Sequence, residues 1–194
     1  MHLLRLFIAL TFAPVDLQKI IKVRDDIQKL LPTSGLRWVQ PSNIHLTMKF
    51  LGNVDSSMLP VLNQSLLSAV ENLPPCSAEL KGLGAYPSLA HPQSIWLGIK
   101  PDKNLELLFC QLENSLFALG FSKERKGFYP HVTLARISDH IPENKRKEMS
   151  DVLKRIDVPV LSTPKFYSLI LMKSDLDRSG PTYTKLLSAF FNGQ

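Results

Sequence analysis

Two rhythms of apolar and polar positions take turns along the chain, one repeating every second residue and one every third or fourth. Residues 3–12 form an apolar run interrupted only by Arg5 and Thr11, which predicts a first strand. Leu17, Ile20, Ile21, Ile27, Leu30 and Leu31 then recur at helical spacing, with Pro14 placed to open the helix and Pro32 to stop it. A second strand is expected over residues 44–51. Helical spacing returns over 55–73 through Leu59, Leu62, Leu66, Val70 and Leu73, until Pro74-Pro75 ends it. Two shorter strands follow, over 78–85 and 94–99. Asp102 is placed as the N-cap of a third helix, with Leu105, Leu108, Phe109, Leu112 and Leu116 on one face and Gly120 as its stop. Beyond it the pattern predicts a short strand over 132–136 and a helix over 142–156 whose outer face carries Lys145, Arg146, Lys147 and Lys154. A strand over 158–172, a loop at Gly180-Pro181 and a last strand near 183–191 complete the chain.

Helices mixed with strands that often follow one another directly make an α+β pattern, and the lack of a glycine-rich phosphate loop speaks against a parallel doubly wound sheet. No long linker or low-complexity tract divides the sequence, so residues 1–194 are expected to fold as a single domain made of two lobes. A hydrophobic content of 44% is enough for a substantial core. The apolar start is short, broken by Arg5 and followed by Pro14 rather than a cleavage site, and no window approaches the roughly 18 apolar residues of a membrane span. No membrane association is expected. Cys76 and Cys110 have neither metal-ligand nor disulfide-framework spacing, which makes a reducing cytoplasm the default compartment. Lys and Arg number 23 against 17 Asp and Glu, and the net charge of +6 favours an anionic partner such as RNA.

One short element occurs twice: Asn43-Ile44-His45-Leu46-Thr47-Met48 and Tyr129-Pro130-His131-Val132-Thr133-Leu134. In a strand, His45 and Thr47 share one face while Leu46, Met48 and Phe50 share the other, and His131 and Thr133 stand in the same relation to Val132 and Leu134. Each strand thus offers an imidazole beside a hydroxyl, backed by an apolar face. In-line displacement at phosphorus wants such a pair, with a base to take the proton of the attacking water and an acid to protonate the departing ribose oxygen. A free imidazole titrates near pH 6.5, so neutral and protonated forms coexist near neutrality. The threonine hydroxyls are suited to donate to the non-bridging oxygens, where charge gathers in the transition state.

These residues give the sequence a resemblance to the two-histidine (2H) phosphoesterase superfamily, and within it to the RNA 2′,3′-cyclic phosphodiesterases, also described as 2′-5′ RNA ligases. The likeness runs through Arg5–Leu10, Arg37-Trp38-Val39, the first motif with Lys49-Phe50-Leu51-Gly52, Gly82–Pro87, Ile95–Gly98, Phe128–Arg136 and Gly180–Tyr183. It implies a bilobal fold with pseudo-two-fold symmetry, in which two antiparallel sheets with flanking helices each place one motif in a central cleft. It implies activity with no metal and no cofactor, on RNA with a 2′,3′-cyclic phosphate end (tRNA halves among them) or on a cyclic nucleotide, leaving a 2′-phosphate, with ligation as a reverse reaction. His45, Thr47, His131 and Thr133 carry over directly. Arg136 matches a phosphate-holding position of the relatives, although strict alternation puts it on the face opposite His131 unless the strand bends after Leu134. The resemblance, with Arg136 expected near His131 to keep that imidazole neutral, makes His131 the base and His45 the acid.

Further positions carry bland and functional readings side by side. Lys49 has the parity of His45, and the solvent-exposed reading outranks the phosphate-neutralising one. Trp38 and Phe128 precede the motifs and offer stacking surfaces for bases, but core packing is the commoner fate of such residues. The basic helix near Lys145 and Arg146 reads chiefly as a wet face. A monomer is expected. The competing functions are an RNA-end-binding protein without turnover, for which Arg or Lys would serve better than two imidazoles, and a metallohydrolase, for which neither motif has a second ligand at metal spacing.

Overall fold

The computed structural model describes residues 2–31, 34–177 and 180–192. Their elements run in the order β1 (Leu3–Leu10), α1 (Pro14–Leu30), β2 (Leu36–Trp38), β3 (Leu46–Asp55), α2 (Leu59–Val70), β4 (Cys76–Pro87), β5 (Pro92–Pro101), α3 (Lys103–Ala118), β6 (His131–Ile137), α4 (Glu143–Leu153), β7 (Lys165–Phe166), β8 (Ser168–Asp177) and β9 (Gly180–Phe190). The strands form two sheets, β3-β1-β8-β9 and β2-β6-β5-β4-β7, and every pairing is antiparallel. The fold is α+β and bilobal, with helices flanking the sheets and a cleft where β3 of one sheet approaches β6 of the other.

The helical stripes bury as their spacing requires: Ile20 and Ile27 from α1, Leu62 and Leu66 from α2, and Leu105, Leu108, Leu112 and Leu116 from α3. Asp102 caps α3 as expected, its carboxylate accepting from the Leu105 N–H at 2.8 Å, and Gly120 follows that helix at φ +91°. Pro14 opens α1, while Pro32 lies outside the described residues.

Several boundaries differ from the sequence reading, each for a tertiary reason. The strand expected over 158–172 begins only at Ser168, after the two residues of β7. Pro159 and Pro164 have no N–H to give a ladder, and the stretch between them touches β4 through single bonds such as Leu161 N–H to the Leu80 carbonyl. Gly180-Pro181 is not loop but the start of β9, tolerated because β9 is an edge strand. β2 went unpredicted, since three residues carry no periodicity and form a strand only by pairing with β6. Arg146 does not belong to a wet basic face. It is buried, and its guanidinium donates to the carbonyls of Pro92 at 2.6 Å and Ser138 at 3.2 Å. Among the described residues no helix is long and apolar enough to cross a membrane.

Lys49 is the largest departure, because neither of its readings describes it. Its ammonium is 2.6 Å from a Glu113 carboxylate oxygen on α3 and donates to the Ser122 carbonyl at 2.7 Å, and both side chains are less than a tenth exposed. Glu113 also accepts the Glu124 N–H at 2.6 Å. The pair therefore pins the segment between α3 and β6 that leads into the second motif. Removing one partner strands a buried charge: Lys49→Met should lower the unfolding free energy by about 3 kcal/mol, and Lys49→Met with Glu113→Leu should recover most of the loss. Urea unfolding of both variants checks this.

Candidate functional site

The two His-x-Thr elements stand at the cleft, and the local devices that hold them match. His45 lies one residue before β3, and its Nδ1–H donates to the Asn43 carbonyl at 2.7 Å; His131 opens β6, and its Nδ1–H donates to the Tyr129 carbonyl at 2.9 Å. A carbonyl can only accept, so Nδ1 carries the hydrogen in each ring and Nε2 is left as the position that gains or loses a proton. The Nε2 of His45 lies 2.9 Å from the Thr47 hydroxyl.

Both motif strands contain a β-bulge at the fourth motif residue. On β3, Thr47 pairs with Ala9 and Lys49 with Ile8, leaving Met48 as the extra residue; on β6, Thr133 pairs with Trp96 and Ala135 with Ile95, leaving Leu134. Each extra residue is buried and reverses the alternation beyond it. Arg136 is thereby returned to the face of His131 and Thr133, which resolves the parity objection to it. The same device corrects two other expectations: Lys49 turns to the core face beside Ile8, and Phe50 turns out of the apolar face to pair with Phe7 on the cleft side.

His45 is set on an aromatic bed. Its ring centroid is 4.9 Å from Phe7 and 5.3 Å from Tyr183, which meets it edge-on, and Phe7 and Tyr183 are themselves 4.9 Å apart. The Asn43 side chain donates to the Pro181 carbonyl at 2.7 Å and so ties the segment before His45 to β9. Phe7 and Tyr183 were not nominated from the sequence, because they become neighbours of His45 only when β1 and β9 share its sheet, and the bond from the Asn43 side chain to Pro181 likewise exists only once β9 is in place. His131 is the more exposed imidazole and stands 5.7 Å from the Trp96 ring, which lies across Gly84, where any side chain would collide with the indole.

Burial holds His45 below the usual histidine range, against the opposing bond to the Asn43 carbonyl, and the positive charges of Arg136 and a protonated His131 lower it further. The charge of Arg136, expected to bear on His131, bears on His45. Burial raises the Tyr183 phenol above its ordinary value, with Arg136 and Arg5 pulling the other way. Arg136, Arg5, Tyr183 and both imidazoles thus belong to one electrostatic neighbourhood. Trp38 and Phe128 pack against the core, Phe128 stacking on Phe109 at 4.3 Å. Among the described residues no three His, Cys, Asp or Glu side chains converge as metal ligands.

Comparison with known proteins agrees with this architecture. Residues 13–96 match the LigT like Phosphoesterase family. The chain is 33% identical over 190 residues to the RNA 2′,3′-cyclic phosphodiesterase of Thermotoga maritima, covering 94% of this chain and 96% of that one. A Thermus thermophilus crystal structure superposes with a TM-score of 0.80 at 22% identity, over 98% of this chain and 99% of that one. E. coli LigT complexed with phosphate superposes with a TM-score of 0.73 at 25% identity over the whole of both chains. With a relative this similar along nearly its entire length, the chain belongs to the LigT-like, two-histidine phosphoesterase family.

Proposed function

We propose that the protein is an RNA 2′,3′-cyclic phosphodiesterase in which His131 is the general base, His45 the general acid, and Thr47, Thr133 and Arg136 hold the phosphate. The single observation that carries this reading is the matched presentation of the two imidazoles: each has its Nδ1 hydrogen committed to a backbone carbonyl and its Nε2 left to exchange a proton. The Thermotoga maritima relative's name supports the substrate class. Two unpaired cysteines, one buried and one exposed, suit a reducing cytoplasm.

The chemistry follows from the geometry. The Nε2 of His131 takes a proton from water as the water oxygen attacks phosphorus. In-line displacement sends the 3′-oxygen out on the opposite side, toward His45, whose Nε2 supplies its proton. The P–O3′ bond breaks, the P–O2′ bond stays, and a 2′-phosphate with a free 3′-hydroxyl remains. The hydroxyls of Thr47 and Thr133 and the guanidinium of Arg136 meet the non-bridging oxygens as negative charge builds on them. His45 has to be protonated to act as the acid, yet in the free protein its surroundings favour the neutral ring. The anionic phosphate offsets Arg136 and restores the proton affinity of His45, so substrate and proton arrive together.

His45→Ala and His131→Ala should each lower hydrolysis of a cyclic-phosphate oligonucleotide on the order of 10²–10⁴-fold, with Thr47→Ala and Thr133→Ala losing less. Near wild-type turnover in either folded histidine variant removes the two-histidine mechanism, and binding of the RNA end without any turnover by the wild type makes the protein a binder. EDTA should leave the rate unchanged; loss of activity with recovery on adding zinc or manganese transfers the assignment to a metallohydrolase. In the free protein, imidazole NMR should find His45 titrating below the usual histidine value, moving up in Arg136→Gln and up again when inorganic phosphate binds the wild type. A His45 that titrates normally and ignores Arg136→Gln contradicts the electrostatic account.

A further inference from the structure

The short strand β2 exists only through its ladder with β6, in which Leu36 pairs with Ile137, Arg37 with Arg136 and Trp38 with Ala135. Leu36 and Trp38 pack against the core. Two further bonds pin the ends of the strand, the Ser138 N–H donating to the Gly35 carbonyl and the Val39 N–H to the Leu134 carbonyl, each at 2.9 Å. The register is therefore held from both sides. Residues directly opposite in a ladder share a face, so Arg37 stands on the cleft side beside Arg136.

Like charges at opposed positions destabilise a sheet. Nothing in the protein offsets this pair: both side chains are exposed, and among the described residues no carboxylate comes within ion-pair distance of either guanidinium. Surface cations elsewhere, such as Lys22, Lys29 and Lys145, do find carboxylates. The pair is thus set for an anion from outside, and its place in the sheet says which one. β2 is the edge strand, with β6 and His131 one strand further in. In the mechanism above Arg136 meets the reacting phosphate, which leaves Arg37, at the rim, for a second negative charge on the same ligand. The terminal nucleotide of an RNA carries such a charge in the phosphodiester on its 5′ side. A free cyclic nucleotide does not.

We propose that Arg37 binds that 5′ phosphodiester, so that the cleft prefers the end of an RNA chain to a free 2′,3′-cyclic nucleotide. The inference rests on the phosphodiesterase reading and narrows its substrate. Because the contact is to the backbone, it adds affinity without regard to base sequence.

The test compares an ApA dinucleotide ending in a 2′,3′-cyclic phosphate, the same dinucleotide with a neutral methylphosphonate linkage, and 2′,3′-cyclic AMP. Arg37→Gln should lower kcat/KM about tenfold more for the first than for either of the others, mainly through KM. Its salt dependence on the first substrate should also become shallower, and Arg37→Lys should keep part of the preference. Equal effects on all three substrates, or none, overturn the proposal. With the repulsion removed, Arg37→Gln should melt at the wild-type temperature or above it; a lower melting temperature would show the pair to be compensated and remove the ground of the proposal. Calorimetric titration with ApA bearing a terminal 2′-phosphate reads binding without turnover, and Arg37→Gln should weaken it about tenfold while leaving its methylphosphonate counterpart unaffected. If the wild type hydrolyses none of the three substrates, the phosphodiesterase reading falls, and the titration still decides whether Arg37 takes a phosphodiester.

Discussion

One extra residue in each of two strands decides which side chains face the cleft. A strand alternates strictly, and without the bulges at Met48 and Leu134 the cleft would receive Lys49 and lose Phe50 and Arg136. The bulged residues are apolar and buried, 4% and 0% exposed, so the packing of their side chains holds the irregular backbone in place. Local packing in each lobe therefore fixes the composition of the site between them. It also explains why the fourth motif position is apolar in both copies, a feature without meaning for a side chain that never meets substrate.

The buried cations do a related job at the level of the chain path. Arg24, whose side chain is 12% exposed, donates to the Val39 carbonyl at 2.7 Å, ahead of the segment that presents His45. Lys49 donates to Ser122, upstream of His131, and Arg146 donates to Ser138, just downstream of Arg136. Each places a charge-assisted bond on a backbone carbonyl where the chain enters or leaves a motif strand. Part of the net charge of +6 that suggested an RNA partner is thus spent on architecture, while Arg136 and Arg5 act electrostatically on Tyr183 beside the cleft.

What the sequence revealed and what it withheld divide along the same physical line. Periodicity and capping are local, and they located α1, α2 and α3, the Asp102 cap and the strands carrying His45 and His131. The class of fold followed from element order, and the two imidazoles with their threonines from the repeat. Register is not local. Nothing in His45–Phe50 announces the insertion at Met48, which exists because β1 pairs as it does, so Lys49 and Phe50 were read onto the wrong faces. Tyr183, though part of the resemblance, received no role because its contact with His45 depends on four strands assembling. Arg146 looked like surface because a helical wheel shows which face a residue occupies but not what covers it.

Duplication alone would not make an acid and a base. Two imidazoles in identical surroundings compete for a proton at the same pH, and displacement at phosphorus needs one charged and one neutral at the same moment. The two halves agree in backbone, down to the carbonyl that fixes each Nδ1 and the bulge that follows each threonine, and they differ in cover. His45 is enclosed by Phe7 and Tyr183 and feels Arg136, whereas His131 opens β6 at an exposed position. The asymmetry lies in the neighbours each sheet supplies rather than in the motifs. In the mechanism proposed above, an anionic phosphate bound beside Arg136 would act unequally on the pair, restoring most to the imidazole that burial and Arg136 disfavour, so that the charge on the substrate would assign the roles as it binds.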